Sequence, residues 1–253
     1  MIEDTFSRGS SPMHRLDPRF KLAGATAWTV CVALLTTPAS AAAALGFSAL
    51  LLLASRPPLG CLLRRLLAVN VFILFLWAML PFTQPGEPAF DLWHFTATRE
   101  GLALAGLITL KSNAIVLCFI ALVATIPVTE LGRALRRLKV PEKLTYLLIF
   151  TYRYVFVMAG EYQRMRQAMK IRGFTPRTNL HTYRTLAYLA GMVLVRGLDR
   201  SERVYKAMLC RGFTGRFRSL NGLCATGVDA VFLLSMLAAT AALALFDLGL
   251  PLI

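Results

Sequence analysis

Long apolar runs separated by short polar segments make up the first half of the chain. Residues 22–55 contain no charged side chain, and this run is longer than the roughly 20 residues that one membrane-spanning helix needs. Because Pro38 interrupts the run and helices tend to stop before proline, we predict a tight helical hairpin over residues 21–37 and 39–55. Further apolar helices are predicted over residues 66–82, 100–126 and 222–246. Without the alternation that is typical of strands, the pattern predicts an all-α, polytopic membrane protein with about five to six membrane helices.

Residues 127–220 have a different pattern. They hold 19 of the 28 lysines and arginines, against five acidic residues. Positive residues of polytopic proteins stay on the cytoplasmic side, and four crossings from a cytoplasmic N-terminus return the chain to that side. We therefore predict a cytoplasmic segment at 1–20, membrane helices 1–4 at 21–126, a cytoplasmic or interfacial region of long amphipathic helices at 127–220 and a C-terminal membrane helix at 221–253. Residues 144–159 are apolar enough to resemble another span, so the number of crossings stays open.

The composition agrees with a membrane protein. Of the residues, 57% are hydrophobic and 16% are charged, whereas about a quarter are charged in soluble domains. The net charge of +15 would suggest nucleic acid as the partner of a soluble protein, but basic cytoplasmic loops account for it, and no nucleic-acid partner is expected. Scattered cysteines and three widely spaced histidines predict neither disulfides nor a metal site. The first 20 residues lack an apolar secretory segment, so we expect a cytoplasmic N-terminus.

A ten-residue pattern occurs twice in the basic region. Residues 168–177 read AMKIRGFTPR and residues 207–216 read AMLCRGFTGR. Each copy predicts a helix whose last turn presents Ala, Met and Arg, followed by a glycine where a helix C′ glycine belongs. Alanine permits close approach, methionine is an adaptable apolar contact, and the arginine fork suits a carboxylate. We predict two protein-docking ends, with attraction to anionic lipid as the alternative. The docking residues are Ala168, Met169, Arg172, Gly173, Ala207, Met208, Arg211 and Gly212.

Several further motifs follow one another in a specific order along most of the chain. They read HRLDPRFKL at 14–22, PEKL at 141–144, TYRY at 151–154 and SERVYKAMLCRGF at 201–213. Together with the two Ala-x-x-x-Arg-Gly motifs, they resemble the transmembrane (T) component of energy-coupling-factor (ECF) transporters, specifically the CbiQ/NikQ family of cobalt and nickel systems.

This resemblance implies a non-catalytic subunit of an ATP-driven transporter in the bacterial inner membrane. Such a subunit links two ATP-binding-cassette (ABC) ATPases to a membrane substrate-binding subunit of the CbiM/NikM type, with room for a small accessory membrane subunit. Arg172 and Arg211 would dock into the two ATPases, and the near-identical motifs favour a homodimer. ATP and Mg²⁺ would be bound by the ATPases, because this chain lacks a GxxxxGK[ST] loop. Co²⁺ or Ni²⁺ would be the transported ion, and this chain would bind no cofactor.

Other functions stay open at this point. A T component of a vitamin-type ECF system is the nearest alternative, and a stand-alone secondary transporter or an integral-membrane enzyme are more distant ones. A secondary transporter predicts paired intramembrane charges, but the sequence offers no obvious intramembrane partner for Lys111. We expect Lys111 and Asn113 to make polar contacts with neighbouring helices rather than to serve transport.

Overall fold

The computed structural model describes residues 13, 16–83, 85, 88–92, 95–215 and 226–249. These parts form eight helices and one two-stranded sheet. The chain divides into two compact units, residues 1–139 with 223–253 and residues 140–222. We call the first the membrane unit and the second the helix-pair unit. The all-α fold class predicted from the sequence is confirmed.

The membrane unit contains six of the helices and the sheet. They are α1 (Pro18–Leu34), α2 (Pro38–Ser55), α3 (Leu59–Thr83), β1 (Pro88–Leu92), β2 (Phe95–Thr98), α4 (Arg99–Leu122), α5 (Val128–Arg137) and α8 (Gly227–Gly249). The helix-pair unit contains α6 (Glu142–Ile171) and α7 (Leu180–Cys210). The antiparallel hairpin β1–β2 is an addition to the predicted helices, in the loop between α3 and α4.

The predicted hairpin of α1 and α2 is present, and capping residues set its limits. Asp17 caps α1 by accepting a hydrogen bond from the Arg19 N–H at 2.9 Å, and Pro18 stands at the first helical position. Thr37 and Pro38 have the same roles at the start of α2. Proline suits this position because its missing N–H would have no intrahelical partner there. Thr37 and Pro38 therefore lie in the turn after α1 and also begin α2.

Four helices, α2, α3, α4 and α8, are long and apolar enough to cross a membrane. Helix α1 has 17 residues, the lower end of the range for a spanning helix. The described residues thus contain four candidate spans, in agreement with a polytopic membrane protein, and α1 is a further span only in the predicted topology. Residues 144–159 lie within the continuous 30-residue helix α6, which is not among the four, and their position relative to the membrane stays a prediction.

Two boundaries differ from those expected. The third helix is predicted to begin at residue 66, but α3 begins at Leu59, where the Pro58 carbonyl accepts hydrogen bonds from the Cys61 and Leu62 N–H groups. Arg64 and Arg65 are exposed on this helix. The basic region was predicted to begin at residue 127, but α5 packs against α1 and belongs to the membrane unit, so the division falls after Lys139.

The core of the membrane unit combines one large aromatic residue with many small ones. The Trp28 side chain is 1% exposed, its Nε1–H donates to Ser48 Oγ at 3.1 Å, and its ring lies 4.6 Å from that of Phe47. Helices α2 and α4 pack through fully buried small side chains such as Ala44 and Ala114. Small residues let helix backbones approach closely, which favours helix association in membranes through van der Waals packing.

Helix α8 is held to α1 at both ends. Near its start, Asp229 accepts a hydrogen bond from the Asp17 N–H at 2.8 Å. Near its end, Asp247 accepts hydrogen bonds from the N–H groups and hydroxyls of Thr36 and Thr37 and from the Ser40 hydroxyl. Since Asp17 precedes α1 and Thr36 follows it, α1 and α8 run parallel. The chain therefore enters both helices from the same end of the membrane unit.

The two polar residues within α4 contact neighbouring helices, as expected. The Lys111 ammonium donates to the Ala33 carbonyl of α1 at 3.1 Å, which is one of the last carbonyls of that helix. Asn113 and Asn70 of α3 each donate to the other's amide oxygen at 3.2 Å. A cation near a helix C-terminus is favourable, so these contacts give Lys111 a structural role.

Candidate functional site: two matching helix ends

The end of α6 carries the first copy of the repeated pattern. Arg172 follows the helix with φ −79° and ψ 12°, and Gly173 has φ +81°. A residue with a Cβ pays about 1–2 kcal/mol for this left-handed conformation, whereas glycine adopts it readily. The Gly173 N–H donates to the Lys170 carbonyl and the Phe174 N–H to the Met169 carbonyl, both at 3.1 Å. This pair of bonds is the Schellman motif, so Gly173 is the predicted C′ glycine.

The end of α7 has the same geometry in the second copy. Arg211 has φ −91° and ψ 13°, and Gly212 has φ +76°. The Gly212 N–H donates to the Leu209 carbonyl at 2.9 Å, and the Phe213 N–H donates to the Met208 carbonyl at 3.1 Å. The two copies therefore agree in backbone conformation as well as in sequence.

The predicted docking residues are accessible at both ends. Two of them, Met169 and Met208, are half-buried, and the other six are exposed: Ala168, Arg172, Gly173, Ala207, Arg211 and Gly212. Within the part of the chain that the structure describes, neither guanidinium forms an ion pair or a hydrogen bond. Each arginine therefore keeps its five N–H donors for a partner.

The surfaces beside the two ends differ. Met169 and Phe174 border a groove of about 940 Å³, which Leu186 and Leu189 of α7 close on the other side. Met208 borders a smaller, mostly apolar groove of about 350 Å³ between α6 and α7. The ends are thus alike in backbone and charge but not in their neighbouring surface.

Helices α6 and α7 run antiparallel and are tied together near Glu161. A Cβ on Gly197 would lie 3.4 Å from Met158 Sδ, so the helices approach closely there. The Glu161 carboxylate forms ion pairs with Arg164 of its own helix and with Arg196 of α7. Hydrogen bonds from these two guanidinium groups lower the pKa of Glu161 to about 2. The carboxylate is therefore ionised throughout the physiological pH range.

The antiparallel arrangement places the two arginines at opposite ends of the pair. Arg172 lies 11 residues beyond Glu161, and Arg211 lies 15 residues beyond Arg196, in the other direction. At 1.5 Å per helical residue, these arms are about 17 Å and about 23 Å long. The arginines can thus be up to about 40 Å apart, which requires two separate binding sites on the partner.

The Glu161–Arg196 ion pair between α6 and α7 is not predicted from the sequence. The spacing of Glu161 and Arg164 is a visible i, i+3 pair, but such pairs are common on exposed helices. Nothing in the local sequence distinguishes Arg196 from the many other arginines of this region. Only the antiparallel packing of α6 on α7 brings it to Glu161.

Comparison with known families gives the same assignment as the motifs. The family model CbiQ, described as cobalt transport protein, matches residues 9–221. The chain belongs to this family. The matched range includes both copies of the repeated pattern, and the CbiQ family is the one that the sequence motifs resemble. This CbiQ-family chain is thus a T component of the ECF transporters, in the family described as cobalt transport protein, and a multi-pass membrane protein.

Some relatives of this CbiQ-family chain are named EcfT and others are named CbiQ. The energy-coupling factor transporter transmembrane protein EcfT of Acidaminococcus fermentans is 28% identical over 259 residues, covering 96% of this chain and 95% of that protein. EcfT of Bacillus subtilis is 26% identical over 260 residues, covering 96% and 97%. The cobalt transport protein CbiQ of Rhodobacter capsulatus is 31% identical over 122 residues, covering 48% and 50%. A membrane component of a transporter is consistent with the predicted non-catalytic role.

Proposed function

We propose that this chain is the coupling subunit of an ATP-driven cobalt or nickel uptake transporter, and that its two matching helix ends dock into two ABC-type ATPase subunits. The supporting observation is the pair of exposed Schellman ends, whose arginines form no ion pair among the described residues. Arg172 and Arg211 would bind carboxylates or carbonyls in two equivalent sockets, as expected of an ATPase homodimer. ATP and Mg²⁺ are bound by the ATPases in this proposal, and Co²⁺ or Ni²⁺ is the transported ion.

The coupling step follows from the antiparallel pair. When two ATPases close or open around ATP, the distance between their sockets changes, and each socket acts on one end of the helix pair. The Glu161–Arg196 ion pair and the close approach at Gly197 hold the helices together between the ends. Movement at the ATPases is therefore transmitted through the pair rather than lost by separation of α6 from α7.

The remaining partners lie in the membrane. We propose a substrate-binding subunit of the CbiM/NikM type, with room for a small accessory subunit, alongside the lipid bilayer. The excess of lysine and arginine at 127–220 supports a cytoplasmic helix-pair unit in a bacterial inner membrane, with the N-terminus on the same side. Parallel packing of α1 and α8 agrees with this arrangement, because an even number of crossings then precedes α8.

A T component of a vitamin-type ECF transporter is the second candidate. The EcfT relatives align with 96% of this chain, whereas the CbiQ relative from Rhodobacter capsulatus aligns with 48%. The two candidates share the ATPase docking and differ in the transported substrate. Uptake of Co²⁺ and Ni²⁺ by the purified complex distinguishes them.

The docking model is tested by reversing the charge of both arginines. We expect the Arg172→Glu, Arg211→Glu double variant to insert into the membrane, to lose ATPase co-purification in mild detergent and to abolish metal uptake. The matched control is Arg184→Glu with Arg203→Glu, which makes the same charge change at exposed positions within α7. This control should retain the ATPases. Normal uptake by the first double variant would overturn the docking model. Equal loss of ATPase co-purification in the two double variants would also contradict it, because the change in net charge alone would then explain the effect.

A further inference from the structure

A buried lysine lies at the start of α1. Lys21 is 1% exposed, and lysine is almost never fully buried unless it is paired. Its position in the first turns of a helix adds a cost, because the positive end of the helix dipole disfavours a cation there. The local structure of α1 therefore gives no reason for a lysine at this position.

Three acidic residues from three different elements supply the compensating charge. The carboxylates that act on the Lys21 ammonium are those of Glu130 in the first turn of α5, Asp229 in the first turn of α8, and Asp17 before α1. Asp229 is also 1% exposed. Its carboxylate accepts hydrogen bonds from the N–H groups of Asp17 and Thr226, each at 2.8 Å. We call Lys21 with these three carboxylates the Lys21 cluster.

The charges of all three carboxylates favour the Lys21 ammonium, without a short ion pair to any of them in the described part of the chain. Lys21 takes part in none of the ion pairs that the described residues form within 4.0 Å. One oxygen of Asp17, Oδ2, is buried and makes no hydrogen bond within the described part of the chain. One cation among three acids can change its nearest partner with a small movement of α5 or α8.

The Lys21 cluster lies where the chain leaves the membrane unit and where it returns. Helix α5 is the last element before the division after Lys139, and Thr226 to Asp229 is the first described segment after the chain re-enters this unit at Leu223. Glu130 thus lies on the outgoing connection, the segment that leads out of the membrane unit, and Asp229 lies on the returning connection, the segment that leads back into it. Lys21 is the cation common to both.

We propose that Lys21 is a positioning residue for the coupling step. Its ammonium holds the outgoing helix α5 and the returning helix α8 to the start of α1, so that both connections move the membrane helices together. This inference rests on the proposed function as a coupling subunit. In the absence of Lys21, the carboxylates of Asp17 and Glu130 keep their ion pairs with Arg19 and Arg133, but the three carboxylates no longer share a cation, and each connection moves on its own. The expected defect is lost coupling: ATP hydrolysis continues, but transport no longer follows it.

The test measures metal ions taken up per ATP hydrolysed, using the complete transporter in proteoliposomes. We expect Lys21→Met and, separately, Glu130→Gln to assemble with the ATPases and to lower this ratio at least about fivefold, the lower range of energetic coupling between sites. A merely structural role would reduce the amount of complex and leave the ratio per complex unchanged. The matched control is Glu100→Gln, the same change at an exposed position in the first turn of α4.

The outcomes separate this inference from the proposed function. If Lys21→Met fails to assemble, Lys21→Met with Glu130→Gln removes one of the three carboxylates, and Glu130→Gln alone alters only a half-exposed side chain that pairs with Arg133. A wild-type ratio in every variant that assembles overturns the role of Lys21, even though the transporter couples. If the wild-type chain itself recruits no ATPase, the proposed function fails first.

Discussion

The left-handed glycines at the two helix ends allow a quantitative test of the site. Gly173 and Gly212 have φ of +81° and +76°, and a Cβ built on either would meet nothing within 4 Å. Substitution by alanine therefore adds no clash, and its whole cost is conformational, about 1–2 kcal/mol at each position. That cost shifts the equilibrium between the capped and the frayed helix end by roughly 5- to 30-fold.

Amide hydrogen exchange measures the equilibrium between the capped and the frayed helix end. The N–H groups of Phe174 and Phe213 close the two caps by binding the carbonyls of Met169 and Met208 at 3.1 Å. In the Gly173→Ala variant, exchange at Phe174 should accelerate by roughly 5- to 30-fold. ATPase affinity should weaken with it, because the arginine is no longer held in one orientation.

Two controls separate backbone conformation from side-chain bulk. Gly173→Asn introduces a larger side chain that tolerates the left-handed conformation, so it should retain most of the protection. Gly191→Ala lies inside α7, also with nothing within 4 Å, and should stabilise the helix by about 0.5–1 kcal/mol. If Gly173→Ala leaves exchange at Phe174 unchanged, or if Asn is as harmful as Ala, the reasoning about the caps is wrong.

Two further predictions concern packing and charge. A Cβ on Gly101 would lie 2.7 Å from the Pro81 Cα, so Gly101→Ala should cost about 1–3 kcal/mol and lower the Tm in detergent by roughly 2–12 °C. Gly106→Ala, in the same helix with open space around it, should not lower the Tm, and equal values for the two variants would contradict the packing argument. The pKa of Glu161 is lowered from its ordinary value of 4.5 to about 2. Its stabilising ion pair with Arg196 should therefore persist above pH 4.5 and be lost as the pH falls towards 2. A midpoint near 4.5 in a carbon-13 NMR titration of the Glu161 carboxyl would refute this.

Local signals predicted the parts of the fold that depend on neighbouring residues. Pro38 fixes the turn between α1 and α2 because proline both ends one helix and starts the next. Gly173 and Gly212 mark the helix ends because only the local backbone requires them. The family resemblance, which rests on the order of short motifs, also proved correct.

Features that depend on distant parts of the chain were not predictable. Lys21 stands in an apparently ordinary basic motif, and its acidic partners Glu130 and Asp229 come far later in the sequence. The predicted start of the third helix at residue 66 was wrong, because the charges of Arg64 and Arg65 do not reveal that a helix begins directly after Pro58. Pairing across elements is set by packing, and hydrophobic periodicity carries no information about it.

The hydrogen bonds that join the parallel helices α1 and α8 also have a consequence for the order in which the protein folds during synthesis. Asp17 and Asp229 are 212 residues apart in sequence, and at about 5–20 residues per second a ribosome needs roughly 10–40 s to synthesise that interval. During this time the face of α1 that will be buried, including Lys21, has no α8 to cover it. The complete helix-pair unit must also be translated before α8 emerges. The membrane unit is therefore completed only when its last helix packs against its first, although α1 is among the first parts of the chain to be made.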